Sequence, residues 1–179
     1  MIDRMIESDR IGFHFTVTAT TRDPRPGETD GINHHFVTVD EFINQIAADD
    51  LLEWAQVYGN YYGVPKKQVR DALAAGNHVI LRVDVQGAKR LSEIIPEALL
   101  IFIIPPSLDV LKSHLQKRGV DTEAEMTKRL EAATEEISQA SLFDFTVTNE
   151  EGRLDDTVDQ VVEIIESESQ RIPPRKMSI

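Results

Sequence analysis

The 179-residue chain contains no cysteine. Disulfides, thiolate metal sites and a cysteine nucleophile are therefore excluded, and the composition fits a cytosolic protein. Long apolar runs are missing too, because the longest, residues 98–104, has the length of a strand and not of a membrane span. The first ten residues lack the apolar core of a signal peptide. We therefore expect a cytoplasmic protein that does not associate with membranes.

Positive charge is also scarce. The chain has 19 Lys and Arg against 31 Asp and Glu, which gives a formal net charge of −12. A general nucleic-acid binder needs a basic surface, so nucleic acid is not an expected partner. An anionic small molecule is compatible with this balance if the basic residues are concentrated where it binds. The length and the 41% apolar content predict one domain, residues 1–179, whose oligomeric state the sequence does not indicate.

The most informative segment that is present is residues 18–28, TATTRDPRPGE. It follows an apolar/polar alternation over residues 13–17, which predicts a strand. Arg22 and Arg25 lie three residues apart on a loop that Pro24 and Pro26 make stiff. Each guanidinium can bind phosphate oxygens bidentately, so the segment indicates a phosphate-binding loop. The alternative is a solvated basic loop.

Downstream, the sequence indicates an α/β fold. Residues 78–170 are predicted as β-α-β-α-α-β-α, and strands that alternate with helices form a parallel sheet covered by helices. Ligands bind beyond the carboxyl ends of such strands, and Asp84 is the last residue of the strand predicted at 78–84. The short segments between 29 and 63 look like an insertion beside that sheet. Within them we predict a helix capped by Asp40, a strand at 51–57 and a compact turn at 58–63.

With these motifs in hand, the chain resembles the guanylate kinase family over nearly its whole length. The resemblance implies a P-loop NTPase-like parallel sheet flanked by helices, with an inserted GMP-binding subdomain at about 29–63 and a helical LID at about 117–140. It also implies ATP-dependent transfer of a phosphoryl group to GMP, giving GDP, with ATP and Mg²⁺ as co-substrate and metal. The stretches that carry it are 18–28, 51–55, 59–63, 83–87, 105–107 and 147–149.

The resemblance also implies roles for an acceptor site. Arg22 and Arg25 would bind the GMP phosphate, and the Tyr62 hydroxyl would donate to it. His34 stands where the family usually has a tyrosine on that phosphate. An imidazole can still donate, and more strongly when protonated, so the affinity for GMP is expected to depend on pH.

Guanine selectivity is assigned to Glu53 and Asp84, with Thr18 assisting through its hydroxyl. Guanine presents adjacent N–H donors on one edge, which carboxylates accept, whereas adenine presents a different pattern. The alternative for Glu53 is a solvent-facing carboxylate on a strand. The alternative for Asp84 is a helix cap, which is compatible with the family role.

On the donor side, the resemblance assigns Arg118 and Arg129 to the LID as catalytic arginines that close on the transferring phosphates. Positioning and charge stabilisation dominate phosphoryl transfer, so mobile arginines have a clear use there. Asn149, like Arg118, would contact ATP. The alternatives are ordinary surface charges for the arginines and a strand-end asparagine for Asn149. No residue is assigned as a metal ligand.

Two further positions depart from the family. Arg82 stands where many members have an acidic residue, two positions before Asp84, and it is expected to change the charge near the phosphates and the handling of metal. His114 replaces an arginine one turn before Arg118, which lowers the charge of the LID.

The 179 residues contain no G-x-x-x-x-G-K-[ST] pattern. In the family this loop and the strand before it hold the ATP phosphates. Their absence implies that the central sheet loses a core strand and that phosphoryl transfer is impaired. One interpretation is a chain that starts late, within the helix after the loop. The others are a catalytically inactive guanylate-kinase-like binding module and a relative of the ribose-bisphosphate kinases, although Glu53 and the 59–63 segment favour guanine.

Overall fold

The computed structural model describes residues 1–8, 10–57, 59–118, 123–173 and 175, and the side chains of Arg118 and Ala124 lie outside that description. The chain is a mixed α/β protein. Its contacts divide it into two compact units, formed mainly by Ile6–Pro96 and by Glu97–Lys176. We call them the N-terminal and C-terminal units and describe each by itself. That residues 1–179 form a single domain stays a prediction.

The N-terminal unit contains two small sheets. One is a parallel pair of β1 with β6, in which Phe13 lies opposite His78. The other has four strands in the order β3-β2-β5-β4. A short helix α1 (Ile2–Glu7) comes first in the chain, and the elements that follow are β1 (Phe13–Phe15), β2 (Ala19–Thr20), β3 (His35–Phe36), α2 (Val39–Ala47), β4 (Leu51–Val57), β5 (Asn60–Pro65), α3 (Lys66–Ala74), β6 (His78–Ile80) and α4 (Val85–Ile94).

The cap of helix α2 lies two residues earlier than the sequence predicted. Thr38, and not Asp40, is the N-cap, because its hydroxyl accepts from the Glu41 N–H at 3.2 Å. The Glu41 carboxylate in turn accepts from the Thr38 N–H at 2.7 Å. This capping box satisfies two otherwise unpaired backbone donors at once, an advantage that Asp40 alone does not offer.

The segment at 58–63 was wrongly predicted as a turn. Strand β5 already starts at Asn60 and pairs antiparallel with β4, so that Ala55 faces Tyr62 and Trp54 faces Gly63. Gly59, with φ of 83°, supplies the left-handed backbone near the reversal. Only two positions separate the end of β4 at Val57 from the start of β5 at Asn60, so Tyr61, Tyr62 and Gly63 are strand residues and not turn residues.

Phe42 is the centre of the core beneath this hairpin. It is fully buried, packs with Ala19 and Leu51, and stacks on Tyr61 at 5.3 Å between ring centroids. Gly63 lies against it so closely that an added Cβ would be 2.9 Å from the Phe42 ring. The core thus holds one face of the β4–β5 hairpin in place, and the other face is available to form a site.

The C-terminal unit follows the predicted β-α-α-β-α order. Strands β7 and β8 pair in parallel, with Ile101 opposite Phe145. Phe102 and Phe143 stack at 4.5 Å. Residues 119–122 of the predicted LID lie outside the described residues. The elements are β7 (Ile101–Ile104), α5 (Leu108–Arg118), α6 (Glu123–Ser138), a 3₁₀ helix (Ala140–Leu142), β8 (Phe145–Thr148) and α7 (Leu154–Ser169).

Parallel strands flanked by helices are thus confirmed, in the β1–β6 pair of the N-terminal unit and the β7–β8 pair of the C-terminal unit, and β2 also pairs parallel with β3 inside the four-stranded sheet. The strands are shorter than predicted, because the pairing covers three residues of β1 and β6 and four of β7 and β8. Apolar periodicity marks where a strand can form, whereas hydrogen-bonded neighbours decide how far it extends. Within the described part of the chain, no helix is long and apolar enough to cross a membrane.

Gly63→Ala tests the packing under the hairpin. The added methyl would lie 3.0 Å from Leu51 Cδ1 and 3.2 Å from the Glu53 carbonyl oxygen as well as against Phe42, and a backbone atom cannot move aside cheaply. We expect a loss of about 1–3 kcal/mol in the free energy of unfolding, measured by urea denaturation. Gly12→Ala is the control, because its Cβ would meet only the flexible end of Asn77. Equal stability of the two variants would contradict this account.

Candidate functional site

An open cavity of about 350 Å³ lies in the N-terminal unit, against one face of the β4–β5 hairpin. Alternate residues of β4 line it, because side chains two apart in a strand share a face. Glu53, Ala55 and Val57 come from β4, and Tyr62 comes from β5. The cavity brings together all seven residues predicted for the acceptor site, namely Thr18, Arg22, Arg25, His34, Glu53, Tyr62 and Asp84. Their roles stay predictions.

Arg22 is bound by a carboxylate of its own loop. Its Nη1 and Nη2 donate to the two oxygens of Glu28, each at 2.7 Å, and Nη1 also donates to the Asp23 carbonyl at 2.8 Å. The guanidinium lies over the ring of Phe36, with 5.6 Å from Cζ to the centroid. Both partners are mostly buried, with 11% of the Arg22 side chain and 19% of the Glu28 side chain exposed. The fork is therefore fixed before any ligand arrives.

Glu28 also holds the second arginine of the loop. Its Oε2 accepts from the backbone N–H of Arg25 at 2.8 Å. The bonds from Arg22 and then from the Arg25 N–H lower the pKa of Glu28 to about 2. The Arg25 side chain itself is exposed and makes no hydrogen bond or ion pair with the described residues. Arg25 thus offers an uncompensated positive charge to the cavity.

Arg82 is a second uncompensated cation in the cavity. Its guanidinium lies 5.6 Å from the ring centroid of Phe15, an arrangement of cation–π type, and no carboxylate among the described residues pairs with it. The sequence expectation that Arg82 changes the charge around a bound phosphate is consistent with this position.

The surroundings of His34 favour its neutral form. Burial and then the charge of Arg22 hold the pKa of the imidazole below its usual 6.5. Its Nδ1 lies 2.8 Å from the Thr18 hydroxyl, and the ring meets that of Tyr62 edge to face at 6.1 Å. A neutral imidazole donates through one nitrogen only, so His34 is suited to one directed hydrogen bond and not to a full positive charge.

Glu53 is a buried carboxylate and not the solvent-facing one of the alternative interpretation. Only 8% of its side chain is exposed, and Arg90 of α4 pairs with it at 2.9 Å. Burial raises the pKa of Glu53, while the bond from Arg90 and its charge oppose that shift. The cavity therefore contains an acceptor group whose ionisation depends on a neighbour.

Asp84 combines the two roles considered for it. It is the N-cap of α4, because Oδ1 accepts from the Gly87 N–H at 2.7 Å, and it also lines the cavity. A side chain at position 87 would meet Val83 Cβ at 2.9 Å, which explains the glycine there. The cap thereby orients the Asp84 carboxylate at the edge of the cavity.

The three residues predicted for the donor side are in the C-terminal unit. The side chain of Arg118 lies outside the described residues, and Arg129 is an exposed residue of α6. Asn149 follows β8, and its side-chain oxygen accepts from the Thr157 hydroxyl at 3.1 Å. His114 lies 3.7 Å from a carboxylate oxygen of Glu151. None of these contacts tests a role in binding ATP.

Sequence reasoning missed two residues of the site, Glu28 and Arg90. Glu28 is inside the motif at 18–28, but its spacing from Arg22 does not show whether it pairs with that arginine or faces solvent. No sequence motif singled out Arg90. Its contact with Glu53 depends on how α4 packs against β4, which no local pattern encodes.

Comparison with known proteins gives a consistent result. A model of the guanylate kinase family matches residues 1–168. A guanylate kinase of Latilactobacillus sakei is 43% identical over 169 residues, which cover 94% of this chain and 82% of the relative. Rice guanylate kinase 2, described as chloroplastic/mitochondrial, is 43% identical over 175 residues, which cover 97% of this chain and 61% of the relative. The crystal structure of guanylate kinase from Anaplasma phagocytophilum superimposes with a TM-score of 0.77 at 30% identity, covering 95% of this chain and 81% of the other.

Glu28→Gln tests the ion pair with Arg22. Because the pKa of Glu28 is lowered from 4.5 to about 2, its stabilisation is fully present above about pH 4.5 and is lost as the pH falls toward 2. The free energy of unfolding of the wild type should therefore exceed that of the variant at pH 6, and the difference should shrink by pH 3. Urea denaturation at a series of pH values measures it.

Glu93→Gln serves as the control, since the Glu93 side chain is exposed and has no ion pair among the described residues. A difference for Glu28→Gln that stayed constant down to pH 3 would show that the carboxylate contributes in some other way.

Proposed function

Since the chain belongs to the guanylate kinase family, an enzyme family of nucleoside monophosphate kinases, we propose that its cavity binds GMP as the acceptor of a phosphoryl group from ATP, which gives GDP. The observation that carries the proposal is the composition of the cavity. Its lining combines three arginines with two carboxylates in a chain whose net charge is −12. The arginines are Arg22, Arg25 and Arg82, and the carboxylates are Glu53 and Asp84. GMP has the complementary arrangement, with a phosphate dianion and a base edge that presents N–H donors.

In this proposal the phosphate is bound by the arginine loop. Arg25 supplies an unpaired guanidinium, and Arg22 supplies the donors that Glu28 leaves free. Tyr62 donates its hydroxyl and His34 one N–H. Because charged hydrogen bonds are shorter and stronger than neutral ones, the two arginines dominate phosphate affinity. These residues hold the acceptor oxygen in place, and positioning is the main requirement of phosphoryl transfer.

At the base, Glu53 and Asp84 accept from the guanine N1–H and amine, and the Thr18 hydroxyl assists. Adenine offers a ring nitrogen acceptor where guanine has N1–H, and that acceptor would face a carboxylate without a proton between them. A site built around hydrogen-bond partners rejects the analogue that leaves them unpaired. The pocket should therefore prefer GMP to AMP.

ATP and Mg²⁺ are proposed as co-substrate and metal from family membership. Where the chain is described, no group of three or more His, Cys, Asp or Glu side chains lies together as a metal site. This is compatible with Mg²⁺, which usually binds through one or two carboxylates together with substrate phosphates and water. When bound, the ion neutralises charge on the transferring phosphates. Arg118, Arg129 and Asn149 are proposed for the ATP side, and a cytoplasmic location stays a prediction.

We further propose that the 179 residues bind GMP but transfer the phosphoryl group slowly by themselves. They contain no G-x-x-x-x-G-K-[ST] pattern, whose backbone amides and lysine hold ATP phosphates in P-loop enzymes. The acceptor side of the reaction would then be complete, while the donor side would depend on the LID residues alone.

The test measures GMP and AMP binding by calorimetry on the 179-residue protein. We expect GMP to bind at least tenfold more tightly than AMP, and Arg25→Met to weaken GMP binding about ten- to a hundredfold, as for the loss of a charged hydrogen bond. Lys67→Met is the control, because Lys67 is 85% exposed and its one ion pair among the described residues is with Asp71 of its own helix. Absence of GMP binding to the wild type would refute the assignment of the acceptor site.

A kinase assay then separates the remaining interpretations. It compares GDP formation by the 179-residue protein with that of the same protein preceded by a strand and P-loop segment. A rate that rises with the added segment supports slow transfer by an otherwise competent enzyme. GMP binding with no transfer in either form indicates a binding module, and phosphorylation of a ribose bisphosphate instead of GMP indicates the other kinase family.

A further inference from the structure

The contact between Glu53 and Arg90 is asymmetric. Arg90 Nε and Nη2 both donate to the same carboxylate oxygen, Oε2, at 3.2 and 2.9 Å. The second oxygen, Oε1, accepts no hydrogen bond from the described residues. Because Glu53 lines the cavity and Arg90 occupies Oε2, Oε1 is the oxygen that remains for a ligand.

Both partners are held by secondary structure. Glu53 is on β4, opposite Val64 of β5, and its side chain is 8% exposed. Arg90 is on α4, whose start is fixed by the Asp84 cap, and its side chain is 36% exposed. Turning the carboxylate would break two hydrogen bonds in a mostly buried place, where each bond is stronger than in water. The orientation of Glu53 therefore depends on Arg90.

The charges around Glu53 oppose one another. Burial raises the pKa of its carboxyl, Arg90 lowers it, and the nearby charge of Asp84 raises it again. Arg90 is thus the group that favours the ionised form. Other titratable or charged side chains that line the same cavity are Arg22, Arg25, His34, Tyr62 and Arg82.

We propose that Arg90 is a positioning residue that sets base selectivity, an inference that rests on the proposed binding of GMP. Arg90 holds Glu53 as an ionised acceptor with Oε1 toward the base. An ionised Oε1 accepts from the N1–H or amine of guanine. A protonated Glu53 could instead donate to the N1 acceptor of adenine. Arg90 therefore favours guanine over adenine without contacting either base.

The test compares Arg90→Met with wild type in the 179-residue protein, using GMP and AMP as ligands at pH 6 and pH 8. Methionine keeps an apolar stem but removes the charge and both donors. We expect the affinity of Arg90→Met for GMP to fall about tenfold at pH 6 and less at pH 8, the size of effect expected for one charged hydrogen bond. Affinity for AMP should not fall. Protonation of the GMP phosphate and of the other cavity residues affects both proteins alike, so it cancels when the GMP affinity of the variant is divided by that of the wild type at the same pH.

Two further variants separate orientation from folding. Arg90→Lys keeps the charge but cannot place two fixed donors on one oxygen, so it should retain part of the selectivity. Lys89→Met changes the neighbouring exposed residue of α4 and should leave both affinities unchanged. Equal losses of GMP and AMP affinity in Arg90→Met, without dependence on pH, would show a merely structural role and overturn the proposal. So would unchanged GMP affinity.

A measurement without ligand makes the test independent of GMP. Titration of the Glu53 carboxyl by carbon NMR should give a higher midpoint in Arg90→Met than in the wild type. If the methionine variant does not fold, Arg90→Lys should show a smaller rise, because it keeps the charge but loses the paired donors. If the wild type bound no GMP, the proposed function would fail, whereas the midpoint would still decide whether Arg90 controls Glu53. An unchanged midpoint overturns the inference.

Discussion

The ion pair of Arg22 with Glu28 is the contact on which the cavity depends. A guanidinium that is only 11% exposed would be costly without a partner, and Glu28 accepts from it at both oxygens. The same carboxylate accepts from the Arg25 N–H, so a single acidic residue shapes the loop that carries both arginines. The Arg22 guanidinium lies over the ring of Phe36 and interacts with Tyr62. Because Glu28 fixes that guanidinium, both aromatic residues pack against a side chain that does not move.

The β4–β5 hairpin supplies the rigid surface opposite that loop. One of its faces packs on Phe42 through Tyr61 and the close approach of Gly63. The other presents Glu53 and Tyr62 from adjacent strands, with register fixed by the pairing of Ala55 with Tyr62. Sites built on paired strands are held more precisely than sites on loops. The groups proposed to read the base and to bind the phosphate are therefore linked through one hairpin.

Charge is distributed unevenly in this acidic chain. Four arginines lie in or beside the cavity, and two of them, Arg22 and Arg90, are matched by carboxylates. In the described part of the chain, Arg25 and Arg82 have no such partner and are left to a ligand. An overall charge of −12 is thus compatible with an anionic substrate, because positive charge is concentrated where the substrate would bind.

The sequence predicts the family and the α/β class, and it names seven residues that the fold brings to one cavity, because the motifs are local and the alternation of strands and helices is readable from apolar spacing. It missed the Thr38 cap and the strand at 60–65, where reciprocal hydrogen bonds and cross-strand pairing override local preference. The contacts of Glu28 with Arg22 and of Arg90 with Glu53 are defined by the folded chain and not by any local pattern. The second contact joins residues 37 positions apart through the packing of α4 on β4, and no periodicity in the sequence specifies which oxygen a guanidinium will take.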